Sequence, residues 1–592
     1  MARNKYDVDE TLEKSFNVSH LKRSLVYAKK HKAKMLLALL LSLAASFVAL
    51  FGPKLIQIAV DGPIPEGDVG GLVRLSLILV GTIVISQIFN TLRNVIMVGV
   101  GQNIVYDIRS DLFRHLQKLP FAYYDSRPQG KILVRVVQYV NAVSDMLSNG
   151  IINMVIEVFN ILFIAIFMFS LDVKLAAIIV AGLPVLTLVI FLIKPAQRRA
   201  WQATNNKISN MSAYICENIE GVKITEAFCR QEENKKIYAR LNTLVNKAWM
   251  KAIYISNLVG LSVENISQWV LAIMYMAGIL WFSPAASVGV IIAMGTYASR
   301  FWQPITAIAA LYNQLINTIS YLERIFQTMD EPVEICDAPN AYELPEITGE
   351  VEFRNVSFEY EPGVRVLRNV SFKVRAGESV ALVGPTGAGK STIVNLISRF
   401  YNITEGEVLL DGHSVSEVTI QSLRSQMGIM LQDSFIFSST IADNIRYGRL
   451  DASRAEIEEA ARRVQADGFI REMERGYDTP VNERGGRLSG GQKQLIAFAR
   501  TLLSDPRILV LDEATSSIDA KTEALLQQGI NELLKGRTSF IIAHRLSTIQ
   551  SCDTIMFIDG GEIVEKGTHA ELMAKKGRYY ELYTSQSNEE SA

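Results

Sequence analysis

Long apolar runs, nearly free of charge, fill the first half of the chain, and short apolar runs between charged stretches fill the second. Six long runs stand out, at 35–51 (extending past Pro53), 72–100, 151–171, 175–193, 258–282 and 288–310. A bilayer core about 30 Å thick is crossed by about 20 apolar residues of helix, so each run meets or approaches the length of a span. Buried helices of a soluble protein are the alternative, and six such runs in succession weigh against it. The connections alternate in length and charge. Lysines crowd 29–34 before the first run, 61–68 has no basic residue, 101–147 and 194–254 are long and basic, and 170–174 and 283–287 are short. Basic loops stay cytoplasmic, so six spans with both termini in the cytoplasm are expected.

Within 101–120 and 205–250, apolar positions recur at helical spacing among charges, which predicts that the spanning helices continue well beyond the membrane. Each pair should turn at a short crosswise segment, after a break at 125–130 in the first and near 211–221 in the second. Polar residues inside the runs are few and costly in a bilayer, so each is a candidate for function. Asn153, Glu157 and Asn160 share a face of the third run, and Asn257, Glu264 and Gln268 share one of the fifth. Arg93 lies in the second, Arg300 and Gln303 in the sixth. They could be helix-packing hydrogen bonds and ion pairs, such as Glu157 with Arg93. They could equally form a polar cavity wall, whose two acidic residues would favour a cationic or amphipathic molecule.

The chain has 592 residues and a formal net charge of zero, which demands more than one domain and argues against nucleic acid as a partner. The first 34 residues are too long and mixed for the start of a signal peptide. Cys216, Cys229, Cys336 and Cys552 are scattered and read as reduced, unpaired thiols. Acids and three prolines at 329–345 mark a junction. The expected organisation is a membrane domain at 1–328, a linker at 329–348, a soluble domain at 349–583 and a polar, disordered tail at 584–592.

In the soluble half, 379–383 reads as a buried strand that runs into Gly384, Pro385, Thr386, Gly387, Ala388, Gly389, Lys390, Ser391 and Thr392, followed by a helical pattern. Strand, glycine loop and helix are the setting of a phosphate loop. Glycines let backbone N–H groups curl round a phosphate, and the helix dipole favours its charge. Lys390 would meet the outer phosphates and the Ser391 hydroxyl a Mg²⁺ ion. A second buried strand, 508–511, ends in Asp512, placed to hold Mg²⁺, and Glu513, placed to take a proton from an attacking water. A third, 539–542, precedes His544. Ligands gather at the carboxyl ends of parallel strands, so His544 is expected on the reactive edge. Leu-Ser-Gly-Gly-Gln at 488–492 opens another helix with a glycine-rich N-terminus suited to phosphate. One chain already has one such site, so a head-to-tail dimer would use the second.

With these motifs in order after six apolar runs, the chain resembles the exporters of the ATP-binding cassette family, of the fused half-transporter type. The resemblance implies a polytopic α-helical membrane domain followed by an α/β P-loop ATPase domain with a mixed sheet and a helical subdomain. It implies that Tyr360 stacks on adenine and that Gln432 senses Mg²⁺ and the attacking water. It also implies that Ser489, Gly490, Gly491 and Gln492 cap ATP on a partner subunit, that Asp519 couples the two sites, and that His544 contacts the γ-phosphate. Residues 481–485 resemble a segment that touches the membrane-domain tips.

ATP and Mg²⁺ are thus the expected cofactors. A second half-transporter, with a homodimer preferred, a bilayer and a small amphipathic substrate are the expected partners. The expected activity is ATP-hydrolysing export of hydrophobic or amphipathic molecules across an inner or plasma membrane. Asn153, Glu157, Asn257, Glu264, Gln268 and Arg300 are the candidate cavity residues. A lipid flippase is the alternative, and an ATP-gated channel or regulatory membrane protein is the alternative of a different class.

Overall fold

The computed structural model describes residues 18–590 apart from 126, 128, 281–286, 431–433, 483–484, 513–519 and 544–545. The chain divides into two compact units, Met1–Gln117 with Gln129–Asp330, and Lys118–Pro128 with Glu331–Ala592.

The first unit is helical throughout. The first apolar run is carried by Lys32–Ala49 and Phe51–Asp61, with Pro53 in the first turn of the second piece, where its missing N–H is not needed. The second helix, Val69–Leu116, starts where the Asp68 carboxylate accepts the N–H of Gly71 at 2.9 Å. Its 48 residues are about 72 Å of helix, far more than a bilayer needs. The third helix, Ile151–Leu171, is followed by the tight turn at Asp172, whose carboxylate caps the fourth helix, Val173–Glu220. The short segment Val222–Ala227 then reverses the chain into the fifth helix, Gln231–Leu280. The overlong helices meet the expectation from their amphipathic ends. The second turn sits later than 211–221 suggested, because nothing in 211–220 interrupts helical bonding before Gly221.

Among the described residues five helices are long and apolar enough to cross a membrane. The sixth run is carried by two helices, Val288–Phe301 and Gln303–Met329, rather than one. Pro304 has no N–H to bond the carbonyl of Arg300, so the chain breaks at Trp302. Leu50, Met168, Leu175, Ile179, Met294, Tyr297 and Phe301 pack together in the core of this unit. Much of the apolar surface of the second helix is exposed, including Leu77, Ile83 and Val95, as suits a surface that faces lipid rather than water.

The second unit is layered. A four-stranded antiparallel sheet has the order β2-β1-β4-β5, where β1 is Val351–Glu361, β2 Val364–Val374, β4 Glu405–Leu410 and β5 His413–Ser414. A six-stranded sheet has the order β10-β9-β3-β8-β7-β6. Its strands are β3 Ser379–Val383, β6 Met427–Met430, β7 Ile508–Asp512, β8 Thr538–Ile542, β9 Thr554–Asp559 and β10 Glu562–Gly567. All but β10 run parallel to their neighbours. Strand alternation sends Val380 and Leu382 into the core shared with the antiparallel sheet, and Ala381 and Val383 into the core shared with the helices.

The stretch before β1 is no free tether. Leu344 and Ile347 are buried, and the Asp411 carboxylate accepts the N–H groups of Thr348, Gly349 and Glu350. The polar tail expected to be disordered is helical up to Glu590, continuing a helix that begins at Arg578. Tyr579 in its first turn is buried, 2.7 Å from Nδ1 of His569, and so anchors the start of this otherwise polar segment.

Candidate functional site

Parallel register brings four strand ends to one edge of the sheet. Leu382 on β3 and Asp512 on β7 both face Ile542 on β8, and Leu511 on β7 faces Met430 on β6. The phosphate loop leaves β3 there, and Asp512 lies at the same level. Gln432, Glu513, Asp519 and His544 lie outside the described residues. The strands that precede Gln432, Glu513 and His544 end on this edge.

The loop needs its glycines for two reasons. Gly384, Gly387 and Gly389 have φ of 146°, 83° and 105°, which side chains rarely tolerate. A Cβ on Gly384 would also lie 2.0 Å from the carbonyl of Ile558, and one on Gly389 2.7 Å from Leu367. One on Gly387 would meet open space, so the loop is tight against the protein on one side and accessible on the other.

The helix Lys390–Ile397 starts directly from Gly389 with no side-chain cap, leaving N–H groups of its first turn without helical partners. Lys390 is buried, and its Nζ donates to the carbonyls of Gly384 at 2.7 Å and Pro385 at 2.9 Å. Burial pushes its ammonium below the usual range, while the nearby Asp512 pulls in the other direction. A desolvated ammonium beside a helix start with uncapped N–H groups fits a polyphosphate.

Pro385 and Thr386 are exposed on the rim, and Ala388 is buried under the loop. Ser391 is exposed at the second helical position, and Thr392 is buried beside it. The Tyr360 hydroxyl lies 3.1 Å from Oγ1 of Thr392, which ties the expected aromatic platform on β1 to the phosphate-loop helix. Its ring meets Phe358 and Tyr401 edge-on and is 45% exposed, so a face remains accessible.

The pentapeptide at 488–492 forms a helix start. Ser489 accepts the N–H of Gln492 at 3.2 Å, and Gln492 accepts that of Ser489 at 2.9 Å, a capping box on helix Gly490–Leu503. Gly490 has open space where a side chain would be. Among the described residues no hydrogen bond or ion pair joins 489–492 to 384–392 of the same chain.

Two positions were missed by sequence reasoning. Arg500, on the same helix, donates to the carbonyls of Asn444 at 2.8 Å and Phe435 at 3.1 Å, and to Oδ1 of Asn444 at 3.1 Å. It clamps the helix to Ile441–Arg446. A guanidinium amid the apolar residues 495–503 was the available signal. Gln494 shares a small internal space, about 10 Å³, with Asp512 and Thr548, and its Oε1 is buried without a hydrogen-bond partner. Such a space is about the size of one water.

The polar membrane residues separate into distinct settings. Arg93 bonds Asn153, Asn160 donates to Glu157 at 3.0 Å, and Glu157 is within electrostatic reach of Arg93. Arg300 donates to the carbonyl of Ala49 at 3.1 Å. Asn257, Glu264 and Gln268 are exposed on the fifth helix. Among the described residues no hydrogen bond or ion pair joins these three settings within one chain.

Comparison with known proteins agrees with this architecture. A family model described as the ABC transporter transmembrane region matches residues 35–305, and one described as ABC transporter matches 367–516. The chain is 35% identical to a putative multidrug export ATP-binding/permease protein of Bacillus subtilis, over 96% of this chain and 99% of that protein. It is 32% identical to an ATP-dependent lipid A-core flippase of Syntrophus aciditrophicus, over 100% and 98% respectively. Among solved structures, a bacterial Atm1-family ABC exporter with ATP bound aligns with a TM-score of 0.77 at 30% identity, over 96% of this chain and 99% of that one. With membrane and ATPase halves fused and matched along nearly its whole length, the chain belongs to the ATP-binding cassette transporter family, as a multi-pass membrane half-transporter that dimerises and couples ATP hydrolysis to export.

Proposed function

We propose that two copies of this chain form one exporter of hydrophobic or amphipathic small molecules, with both termini of each chain in the cytoplasm. The observation that carries this reading is the pairing of a complete phosphate cradle around Lys390 with a second glycine-rich helix start at Ser489 that bonds nothing in its own cradle. Such a start is free to close on another subunit's phosphates. Contacts that exist only in the closed dimer favour the outward-open state when ATP is present, and hydrolysis removes that preference.

Within each site Lys390 and the loop N–H groups hold the phosphates, Tyr360 carries the base, and Glu513 accepts the proton of the attacking water. Gln432 and His544 orient water and γ-phosphate from the neighbouring strand ends, and Asp519 links the two sites. Mg²⁺, when bound, neutralises phosphate charge. Ser391 and Asp512 would hold it.

Glu264 and Gln268 are exposed on the fifth helix, as groups awaiting a second chain or a cargo would be. The names of two relatives, a multidrug exporter and a lipid flippase, bracket the cargo class. The test is uptake of an amphipathic dye into inside-out vesicles. Glu513→Gln should lower hydrolysis by about a hundredfold or more while preserving ATP binding, and uptake should stop. Continued uptake would remove Glu513 from its role. Headgroup-dependent lipid translocation without dye uptake would favour the flippase.

A further inference from the structure

The internal space beside Asp512 brings together polar groups from three elements. Gln494 comes from the helix that opens at Ser489, Asp512 from the end of β7, and Thr548 from the helix Leu546–Gln550. Met430, Phe498 and Leu511 supply apolar wall. Gln494 is half-buried, but its Oε1 is fully buried and, among the described residues, accepts no hydrogen bond. A buried acceptor left unsatisfied costs about 1–3 kcal/mol.

The chemistry of the facing groups says what joins them. An amide oxygen and a carboxylate are both acceptors, so Oε1 of Gln494 and an ionised Asp512 cannot bond each other directly. A water can donate one proton to each, and its oxygen can accept from a hydroxyl such as that of Thr548. The space measures about 10 Å³, enough for one water, and a buried water takes about two to four polar partners. The Asp512 carboxylate also acts electrostatically on the Lys390 ammonium, so it is a neighbour of the phosphate loop as well as of Gln494.

We infer that Gln494 is a positioning residue for Asp512. One buried water donates to Oε1 of Gln494 and to one carboxylate oxygen of Asp512, which fixes the carboxylate and leaves its second oxygen for Mg²⁺. The inference rests on the metal role proposed above for Asp512. It gives the helix start at Ser489 a link to the metal site of its own chain. Gln494 stands about 7–8 Å along the helix from Ser489 at 1.5 Å per residue. A shift of that start against a partner's phosphate therefore reaches Asp512 through a turn and a half of helix and one water. By linkage the metal site acts back on the start with the same coupling free energy.

The test uses the full chain in detergent and a fluorescent ATP analogue, titrated once in Mg²⁺ and once in EDTA. The ratio of the two affinities isolates the contribution of the metal, and in the unchanged protein it should favour Mg²⁺. Gln494→Met keeps the length of the side chain and removes the acceptor. It should lower the ratio about fivefold, the equivalent of one net hydrogen bond of about 1 kcal/mol, and leave the affinity in EDTA unchanged. Gln494→Leu, a shorter apolar replacement, should do the same. Asp512→Asn should bring the ratio close to one, and adding Gln494→Met to it should change nothing more, because the glutamine acts through that carboxylate.

Three results overturn the inference and leave the metal role of Asp512 standing. They are an unchanged ratio in Gln494→Met, an equal loss of affinity with and without metal, and a full further effect of Gln494→Met on top of Asp512→Asn. A higher melting temperature of nucleotide-free Gln494→Met also overturns it, because Oε1 would then be an unsatisfied acceptor rather than the partner of a water. If Asp512→Asn itself leaves the ratio intact, the proposed metal role of Asp512 fails and the inference falls with it.

Discussion

In the proposed site, Lys390 is a side chain prepared for a polyanion. Its ammonium is buried, holds two carbonyls of its own loop and is pushed towards neutrality by desolvation. A polyanion reverses that push, so ligand and lysine charge stabilise each other. Hydrogen bonds to charged groups contribute about 1.5–3 kcal/mol, so Lys390→Met should weaken ATP binding roughly ten- to hundredfold. Titration with a fluorescent ATP analogue measures this, and the melting temperature without nucleotide controls for folding.

Asp411 works at the same scale on the linker. Burial pushes its carboxyl up, but the N–H groups of Thr348, Glu350 and Gly349 and the Thr348 hydroxyl pull it further down, to a net value below the ordinary 3.8. A carboxyl depressed in the folded state contributes stability above its unfolded value and loses it as the pH falls through the folded one. The linker should therefore stay pinned above about pH 4 and loosen in stronger acid. Asp411→Asn should produce the same loosening at neutral pH, seen as faster hydrogen exchange at Thr348–Glu350 with the rest of the unit unchanged.

Among elements, the helix at Gly490–Leu503 unites two demands on one start. Ser489 caps it, and an exposed Gly490 leaves the approach open. Ser489→Ala should cost about 0.5–2 kcal/mol of local stability through the lost cap. If the hydroxyl also serves a partner's phosphate, Ser489→Asp should regain the melting temperature but not the ATPase activity. Recovery of both would reduce Ser489 to a cap.

This element was legible in the sequence, because a serine followed three residues later by glutamine is a local signal. The phosphate loop was legible for the same reason. The break at Trp302 was harder to read. Pro304 was visible, yet apolar residues on both sides made the run look continuous. The clamp by Arg500 was missed because it depends on partners distant in sequence, Asn444 and Phe435, whereas the second turn begins at Gly221, the end of the stretch expected to hold it. The helical tail was missed because its anchor, Tyr579 on His569, lies outside the polar segment itself. The candidate cavity set is legible only as a list of costly residues. The structure assigns Arg93, Asn153, Glu157 and Asn160 to a network between two helices, while Glu264 stays exposed.

At the scale of the molecule, the two units do not correspond to two consecutive halves of the chain. Lys118–Pro128, from between the second and third apolar runs, belongs with Glu331–Ala592. Phe121 packs on Phe400 with ring centroids 4.5 Å apart, and the Tyr401 hydroxyl donates to Asp125 at 2.8 Å. The backbone therefore passes from one unit to the other at three places, near residues 117, 128 and 330. A protease cut in the linker would sever only the last. The severed ATPase fragment should still be pulled down with a tag on the membrane fragment, and Phe121→Ala with Asp125→Ala should release it. Expressed alone, residues 331–592 would expose Phe400 and Tyr401 to water and should aggregate more readily than the same residues produced beside the membrane half. A length of polypeptide that runs between two membrane spans is thus spent completing the hydrolytic half.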